Sequence, residues 1–328
     1  MDKIQSTVIS TRIRLARNVK NLPFPNRLSG EEGINTLLAK VQKTCDALFP
    51  NKYYKIDGMD RYESESLVER HLISRNLQKS KYGGAFISES EDISVMVFEE
   101  DHLRIQSIMR GFNLENAYNA VAKIDSELKK NVEIAFDQKL GYLTACPTNL
   151  GAAMRASVML FLPGLTKLGL IDNIIMKFQD LGMTIRGIYG EGSKAEGYVY
   201  QISNQASISL SETEILNKIK KYVMQIVDYE TDAREKLKSS LGIDLQNDIM
   251  ISYGILKYAC KMSSQEFNQN LASVKLGVAL GYLNLDMDKL NSLSVLTQPA
   301  MLCFLKKKEL TPQQRDIYRA EIAKSMIG

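Results

Sequence analysis

The pattern of apolar and polar positions divides this chain of 328 residues into two stretches, one that mixes strand and helix periods and one, from Ser211 onward, that is mostly helical. Val8 to Asn18 begins as a strand with Ser10, Arg12 and Arg14 on one face and Ile9, Ile13 and Leu15 broadly opposed. Pro23 and Pro25 break the chain, after which Glu31 to Phe49 carries Ile34, Leu37, Leu38, Val41, Cys45 and Leu48 at helical spacing. Ser64 to Leu72 is expected to be helical and Lys79 to Gly84 to turn. Ile93 to Phe98 has the β-branched, apolar character of a half-buried strand, and alternation by two extends Met96 and Phe98 to Glu100. Leu114 to Val132 has the length of a long helix, with Ala117, Ala120, Val121, Ile124 and Leu128 inward, and Phe136 to Leu143 returns towards the sheet. Arg155 to Leu162 fits a strand, or a helix on which Arg155 and Met159 still share a face. Ser211-Glu212-Thr213-Glu214 resembles a helix start, and the boundary between the two stretches is placed near residue 232, giving domains 1–232 and 233–328.

Composition changes this picture little. Hydrophobic residues make up 45% and charged residues 24%, as in an ordinary globular protein. No apolar run approaches the length of a membrane span, and Met1 to Gln5 lacks the apolar core of a signal peptide, so the expected compartment is the cytosol, with no membrane partner. Four widely spaced cysteines and two histidines argue against a disulfide framework or a structural zinc site. A net charge of +4, spread along the chain, marks no nucleic-acid stripe.

The candidate chemistry lies where strands end. In Phe98-Glu99-Glu100-Asp101-His102-Leu103-Arg104 an apolar run stops in three adjacent carboxylates, which repel one another and call for a cation nearby. Arg12 and Arg14 project together and present planar forks suited to phosphate or carboxylate. Cys146 to Arg155 is a small-residue loop with a thiol at one end and a guanidinium at the other, and small side chains let backbone approach a ligand closely. Arg186-Gly187-Ile188-Tyr189-Gly190-Glu191-Gly192-Ser193 embeds a carboxylate in a glycine-rich turn. Taken singly, a solvated strand end, a solvated strand face and a glycine hairpin explain these segments as well. No Walker loop, Gly-x-Gly-x-x-Gly fingerprint or His-Arg-Asp kinase loop occurs.

Taken together, in order across residues 7 to about 232, the five segments 10–17, 99–104, 146–151, 155–159 and 186–191 resemble the phosphagen (guanidino) kinases, and within them the bacterial branch that phosphorylates arginine side chains of proteins. The resemblance implies an α+β fold, a mostly antiparallel sheet flanked by helices, followed by an all-helical C-terminal domain for dimerisation and phosphoarginine sensing. It implies phosphate-binding arginines at Arg12, Arg14, Arg104, Arg155 and Arg186 and an adenine-side histidine at His71. The implied nucleotide contacts extend over Ser10, Thr11 and Ile13, over Ala156, Ser157, Val158 and Met159, and over Gly187, Ile188, Tyr189, Gly190 and Glu191. Glu100 and Glu191 match the carboxylates that hold the guanidinium, and Cys146 matches the active-site thiol. Arg315-Asp316-Ile317-Tyr318-Arg319-Ala320 fits the branch's phosphoarginine motif, with Arg315, Asp316, Arg319 and Ala320 as contacts. ATP and Mg²⁺ are the implied cofactors. The implied partners are protein substrates with exposed arginines, an McsA-type activator, a CtsR-type repressor, a ClpC-ClpP protease and a second copy in a homodimer.

The chemistry agrees with the resemblance. A guanidinium gives up a proton only to a carboxylate positioned to take it as the bond to phosphorus forms. Arginines and Mg²⁺ neutralise a triphosphate during in-line transfer, and a metal held mainly by phosphates and water needs no protein ligand cluster. The chain departs from the family pattern in two places: Phe98 stands where an asparagine is usual, and Gly151-Ala152-Ala153 replaces the usual Gly-Thr-Gly. Small-guanidine kinases carry a helical domain ahead of the Ser-Thr-Arg motif, whereas nine residues precede Ser10, an opening that suits an arginine on a protein. The rival readings are a kinase of free arginine or another small guanidine, and a non-catalytic phosphoarginine-binding adaptor.

Overall fold

The computed structural model describes residues 2–28, 32–188 and 195–328. Its strands are β1 (Val8–Arg17), β2 (Asn51–Lys55), β3 (Gly84–Ser88), β4 (Ile93–Val97), β5 (Leu103–Arg110), β6 (Phe136–Asp137), β7 (Gly141–Tyr142), β8 (Met154–Phe161), β9 (Met183–Gly187) and β10 (Val199–Asn204). Its helices are α1 (Lys3–Thr7), α2 (Glu32–Leu48), α3 (Arg61–Glu69), α4 (Leu114–Asn131), α5 (Pro163–Lys167), α6 (Ile171–Asp180), α7 (Glu212–Tyr258), α8 (Ser264–Ala279), α9 (Met287–Leu296), α10 (Pro299–Lys306) and α11 (Pro312–Ile327). Eight strands form one sheet in the order β2-β3-β4-β5-β1-β8-β10-β9, antiparallel from β2 through β1. The α+β class is therefore as the resemblance implies, and Arg155 lies on a strand.

The backbone forms two compact units, one of residues 10–157 and 203–220, the other of residues 1–9, 158–202 and 221–328, so that β1, β8 and β10 each pass from one unit to the other along their length. In the first unit, α4 packs on β5 and α2 on α4. Ile13, Leu15, Ile105, Val121, Ile124 and Leu128 are buried there, as the two periodicities require. Beside β3 and β4, Leu67 of α3 joins Leu72, Leu77, Ala85, Ile87 and Met96 in a second apolar cluster. The end of β1 is pinned by Arg17, which is fully buried. Its guanidinium meets both oxygens of Asp125 on α4 at 2.9 and 3.0 Å and lies 3.6 Å over the ring of Tyr142. Alternate positions upstream, Arg12 and Arg14, thereby acquire a fixed direction.

In the second unit, Glu230 of α7 accepts the backbone N–H groups of Gly164 and Leu165 at 2.8 and 2.9 Å, capping α5. Its partner Arg234 reaches Ser6 and the carbonyl of Phe161. Helices α8, α9 and α11 share a core built on Phe267, Leu271, Val274, Leu290, Leu293 and Ala323. Capping boxes, Ser263 with Glu266 and Thr311 with Gln314, start α8 and α11. Helix α7 runs through residue 232 and is broken at Gly242, whose φ of 50° and ψ of −120° are not helical. Among the described residues no helix is long and apolar enough to cross a membrane.

Phe136 to Leu143 returns towards the sheet as expected, the Leu143 carbonyl accepting from Asn18 at the end of β1 at 3.0 Å, while β6 and β7 make their own two-stranded ribbon, its turn closed by Asp137, which accepts the N–H groups of Lys139 and Leu140 at 2.8 and 2.9 Å. One local expectation is corrected: alternation does not carry Glu100 onto the face of Met96. The strand ends at Val97, and Phe98 adopts a left-handed φ of +56°, so the period of two stops one residue before the carboxylates.

Gly151 shows why the loop after Cys146 is built of small residues. At φ +96° it lies against backbone, and a Cβ there would sit 2.4 Å from the carbonyl oxygen of Ser207. The closeness serves chain against chain. Gly151→Ala is expected to destabilise the protein by about 2–4 kcal/mol, through strain and overpacking together, read as a lower midpoint in chemical denaturation.

Candidate active site

The acidic turn is the centre of the site, and its three carboxylates have three different fates. Glu99 turns inward: one oxygen accepts from Arg104 at 2.7 Å and from the Ser74 hydroxyl at 2.5 Å, and the other from the N–H of Glu100 at 2.7 Å. Asp101 is also buried, accepting from the Asn18 side chain at 2.6 Å and from the N–H of Ala145 at 2.7 Å. Only Glu100 faces a cavity, its side chain 37% exposed and one oxygen 3.6 Å from Arg104. Burial is the main cause that raises its pKa, with Asp101 and Glu99 adding to the rise and Arg104 and Arg155 opposing it.

His102 is structural. Its Nδ1 accepts the N–H of Val19 at 3.1 Å, so the proton sits on Nε2, which donates to the carbonyl of Pro23 at 2.8 Å. Burial lowers its pKa and keeps the ring neutral. Asn18 completes the brace, taking the His102 N–H at 2.8 Å while bonding Asp101. The turn that carries Glu100 is thus fastened to the end of β1 and, through Asp101 and Ala145, to the loop that carries Cys146.

Two cavities lie at this site. One, of about 160 Å³, is lined by Arg14, Glu100, Arg104, Cys146, Asn149 and Arg155. The Cys146 thiol lies 3.1 Å from the Thr148 hydroxyl at its rim. The other, of about 190 Å³, is lined by Arg12, Arg14, His71, Met96, Arg104 and Gln106. Arg14 and Arg104 line both. Burial, and then Arg104 and Arg155, pull the pKa of Arg12 down to about 10. Arg14 is pulled well below the usual arginine value by burial and by Arg12, Arg104 and Arg155, and its buried Nε has no hydrogen-bond partner among the described residues. His71 is held neutral, its pKa lowered to about 4 by burial, Arg12 and Arg14. Four guanidinium groups facing one another in partly dry surroundings form a receptor for a polyanion.

Of the residues singled out from sequence, Arg12, Arg14, His71, Glu100, Arg104, Cys146 and Arg155 come together here. Thr11 and Ile13 are buried, Thr11 bonding Gly111 and Asn113, while Ser10 is half-buried on the same strand. In β8, Ala156, Ser157 and Val158 are buried and Met159 is partly so. Arg186 is exposed at the end of β9, followed by Gly187 and Ile188. Tyr189, Gly190 and Glu191 lie outside the described residues. On α11, Arg319 is 1% exposed and spends its guanidinium on the carbonyls of Met262 and Thr297 and on Asp316 at 2.7 Å. Arg315 donates to the carbonyl of Leu310, and Ala320 belongs to the helical core. Sequence reasoning missed Ser74, Asn18 and Gln106. Gln106 alternates with Arg104 along β5, a signal that period two could have supplied; Ser74 and Asn18 act from distant segments.

A profile of the ATP:guanido phosphotransferase C-terminal catalytic domain matches residues 33–233, and one of the protein-arginine kinase McsB C-terminal domain matches residues 242–328. The chain is 40% identical to a protein-arginine kinase of Caldanaerobacter subterraneus subsp. tengcongensis, over 99% of this chain and 98% of that one. It is 42% identical to the protein-arginine kinase of Clostridium acetobutylicum, over 97% and 95%. Among solved structures, the duplicated taurocyamine kinase of Schistosoma mansoni with bound transition-state analogue components superposes with a TM-score of 0.63 at 28% identity, covering 74% of this chain and 37% of that one.

The crowding of positive charge is testable without turnover. Inorganic triphosphate is expected to raise the melting temperature of the wild-type protein. Arg14→Met, which removes a buried guanidinium, is expected to raise the stability of the unliganded protein by about 1 kcal/mol while losing most of the triphosphate effect. A variant less stable than wild type with the full triphosphate shift would contradict the assignment.

Proposed function

The chain belongs to the ATP:guanido phosphotransferase family, and we propose that it is a protein-arginine kinase, which moves the γ-phosphoryl group of ATP to arginine side chains of proteins. The observation that carries this reading is the pairing of one exposed carboxylate, Glu100, with a cluster of guanidiniums, across cavities that share Arg14 and Arg104. The charges sort the substrates: the triphosphate goes to Arg12, Arg14, Arg104 and Arg155, and the cationic arginine goes to Glu100.

In the proposed reaction a terminal nitrogen of the substrate arginine attacks the γ-phosphorus. The P–N bond forms as the bond to the bridging oxygen of ADP breaks, and the proton on the attacking nitrogen passes to Glu100. A raised pKa suits that task, because a more basic carboxylate takes the proton more readily. Glu191, whose segment is outside the described residues, is proposed as the second carboxylate on the planar fork, and Cys146 as a contact at its edge. Arg186 and neutral His71 are proposed to complete the phosphate and adenine contacts. Mg²⁺ would supply further charge neutralisation on the phosphates; the residues fit an ion that arrives on the nucleotide, since guanidiniums bind phosphate oxygens and leave the metal to phosphate and water. The helical region is proposed to dimerise and to sense phosphoarginine at the motif on α11 through Arg315 and Asp316, with buried Arg319 and Ala320 positioning them. The proposed setting is stress regulation, with an McsA-type activator, a CtsR-type repressor and delivery of marked proteins to ClpC-ClpP.

Incubation with ATP, Mg²⁺ and an unfolded arginine-containing protein is expected to give acid-labile phosphoarginine, located by mass spectrometry, with free arginine a much poorer acceptor. Saturation by free arginine alone would favour a small-guanidine kinase. Glu100→Gln is expected to lower turnover by about 10²- to 10⁴-fold. Glu100 must be ionised to accept the proton, and burial raises its pKa, so activity is complete at neutral pH and falls as pH drops through that raised value. The acid limb of kcat/KM should therefore lie above the ordinary glutamate value of 4.5; a limb at or below it would count against Glu100 as the base.

A further inference from the structure

Away from the active site, the second unit buries a lysine with no partner among the described residues to neutralise it. Lys275 lies on α8 and is 3% exposed, with its ammonium 4.3 Å from the centre of the Phe161 ring. Among the described residues no hydrogen-bond acceptor or carboxylate meets it. It borders a cavity of about 30 Å³, walled by Asn268 on the same helix, Ser294 of α9, Gln298 at the start of α10, and Gly197 and Val199 at the start of β10. A methionine would fill the same space without placing an amine there.

Among the described residues the surroundings are short of negative charge. The charged group that acts on Lys275 is Arg234, itself a cation, whose partner Glu230 is engaged by Arg234 and by two backbone N–H groups of α5. The remaining walls offer neutral polar groups: the Ser294 hydroxyl and the amides of Asn268 and Gln298, the last donating to the Ser294 carbonyl at 2.9 Å. A buried amine beside hydroxyl and amide donors is the arrangement that binds an anion. The volume sets the size, with room for about two water-sized groups, enough for the paired oxygens of a carboxylate and too little for a nucleotide.

We propose that this cavity is a binding site for one small oxyanion, a free carboxylate or hydrogencarbonate, held by the Lys275 ammonium with Ser294 and Gln298. Binding there ties α8 and the α9–α10 junction to the start of β10. Burial, and then Arg234, lower the Lys275 pKa to about 7, and an anion favours the charged amine. Affinity is therefore greatest below pH 7 and falls as the amine loses its proton above it.

The test is a thermal melt of the full chain at constant ionic strength, with chloride replaced by acetate in one arm and by hydrogencarbonate in the other. The wild-type melting temperature is expected to rise by about 2 °C at tenfold excess over Kd, and the rise in acetate to shrink between pH 6.5 and pH 8.5. Acetate alone acting identifies a carboxylate site, hydrogencarbonate alone an inorganic one, and both together a site that reads the shared oxyanion. Lys275→Met is expected to fold and to lose the shift. No rise in either arm, or an equal rise in Lys275→Met, would overturn the proposal. Line broadening of ¹³C-labelled acetate by the wild-type protein decides the matter independently of any variant: its absence at pH 6.5, with no hydrogencarbonate response, is equally fatal.

Discussion

Mutual repulsion among Arg12, Arg14, Arg104 and Arg155 is the constraint around which the first unit is built. Like charges brought out of water and close together cost several kcal/mol, and a flexible loop would relieve that cost by moving them apart. Here they stand on the paired strands β1, β5 and β8, whose ladder fixes where each side chain leaves the backbone. Part of the cost is met by Glu99, which bonds Arg104 but, tied also to Ser74, cannot follow an incoming ligand. The rest is left for a polyanion to relieve. Binding and fold stability are therefore opposed at Arg14: the guanidinium that strains the empty protein is one that a triphosphate would neutralise.

The same constraint explains the division of labour in the acidic turn. A carboxylate fully paired with Arg104 has its lone pairs committed to the guanidinium and cannot take up a proton without giving up that pair. Placing Glu99 inward satisfies the arginine and leaves Glu100 only loosely attached to it, at 3.6 Å. Asp101 faces the other way and adds negative potential from below, as well as joining the turn to Ala145. One residue balances charge, one faces the cavity and one positions. The three identities are adjacent in sequence, yet each depends on partners far along the chain.

That dependence decides how much was legible beforehand. Period two gave the face shared by Arg12 and Arg14, and helical spacing gave α2 and α4 to within a residue, because both signals are local and each element buries one face. Resemblance gathered the remaining cluster. What could not be read was which charged residues are bound to the protein itself. Arg17 sits in the same run as Arg12 and Arg14, but Asp125, 108 positions away, and the Tyr142 ring claim it. Arg319 falls within a phosphoarginine motif, and carbonyls from two other segments hold it. Hydrogen-bond partners distant in sequence leave no periodic trace, and so a charged residue's fate is the last thing a sequence discloses.

The two departures from the family pattern occupy equivalent kinds of position. Phe98 and Ala153 both have left-handed backbone, at φ +56° and +47°, where an asparagine or a glycine is at ease and a residue with an ordinary Cβ costs about 1–2 kcal/mol. Phe98 offsets that cost by burying its whole ring against His102, a gain of about 2–3 kcal/mol that asparagine could not make. Ala153 is buried as well, and its carbonyl accepts the N–H of Ala16 on β1 at 2.9 Å. In both cases the backbone keeps the course that the usual residue would permit, because hydrogen bonds on either side prescribe it: Phe98 to the His102 carbonyl at 2.9 Å, and Ala152 to Ser207 at 3.3 Å. The direction in which Glu100 and Arg155 leave the chain is thus set by those bonds, and the identities at 98 and 153 are free to trade local ease for core packing without moving the charges they precede.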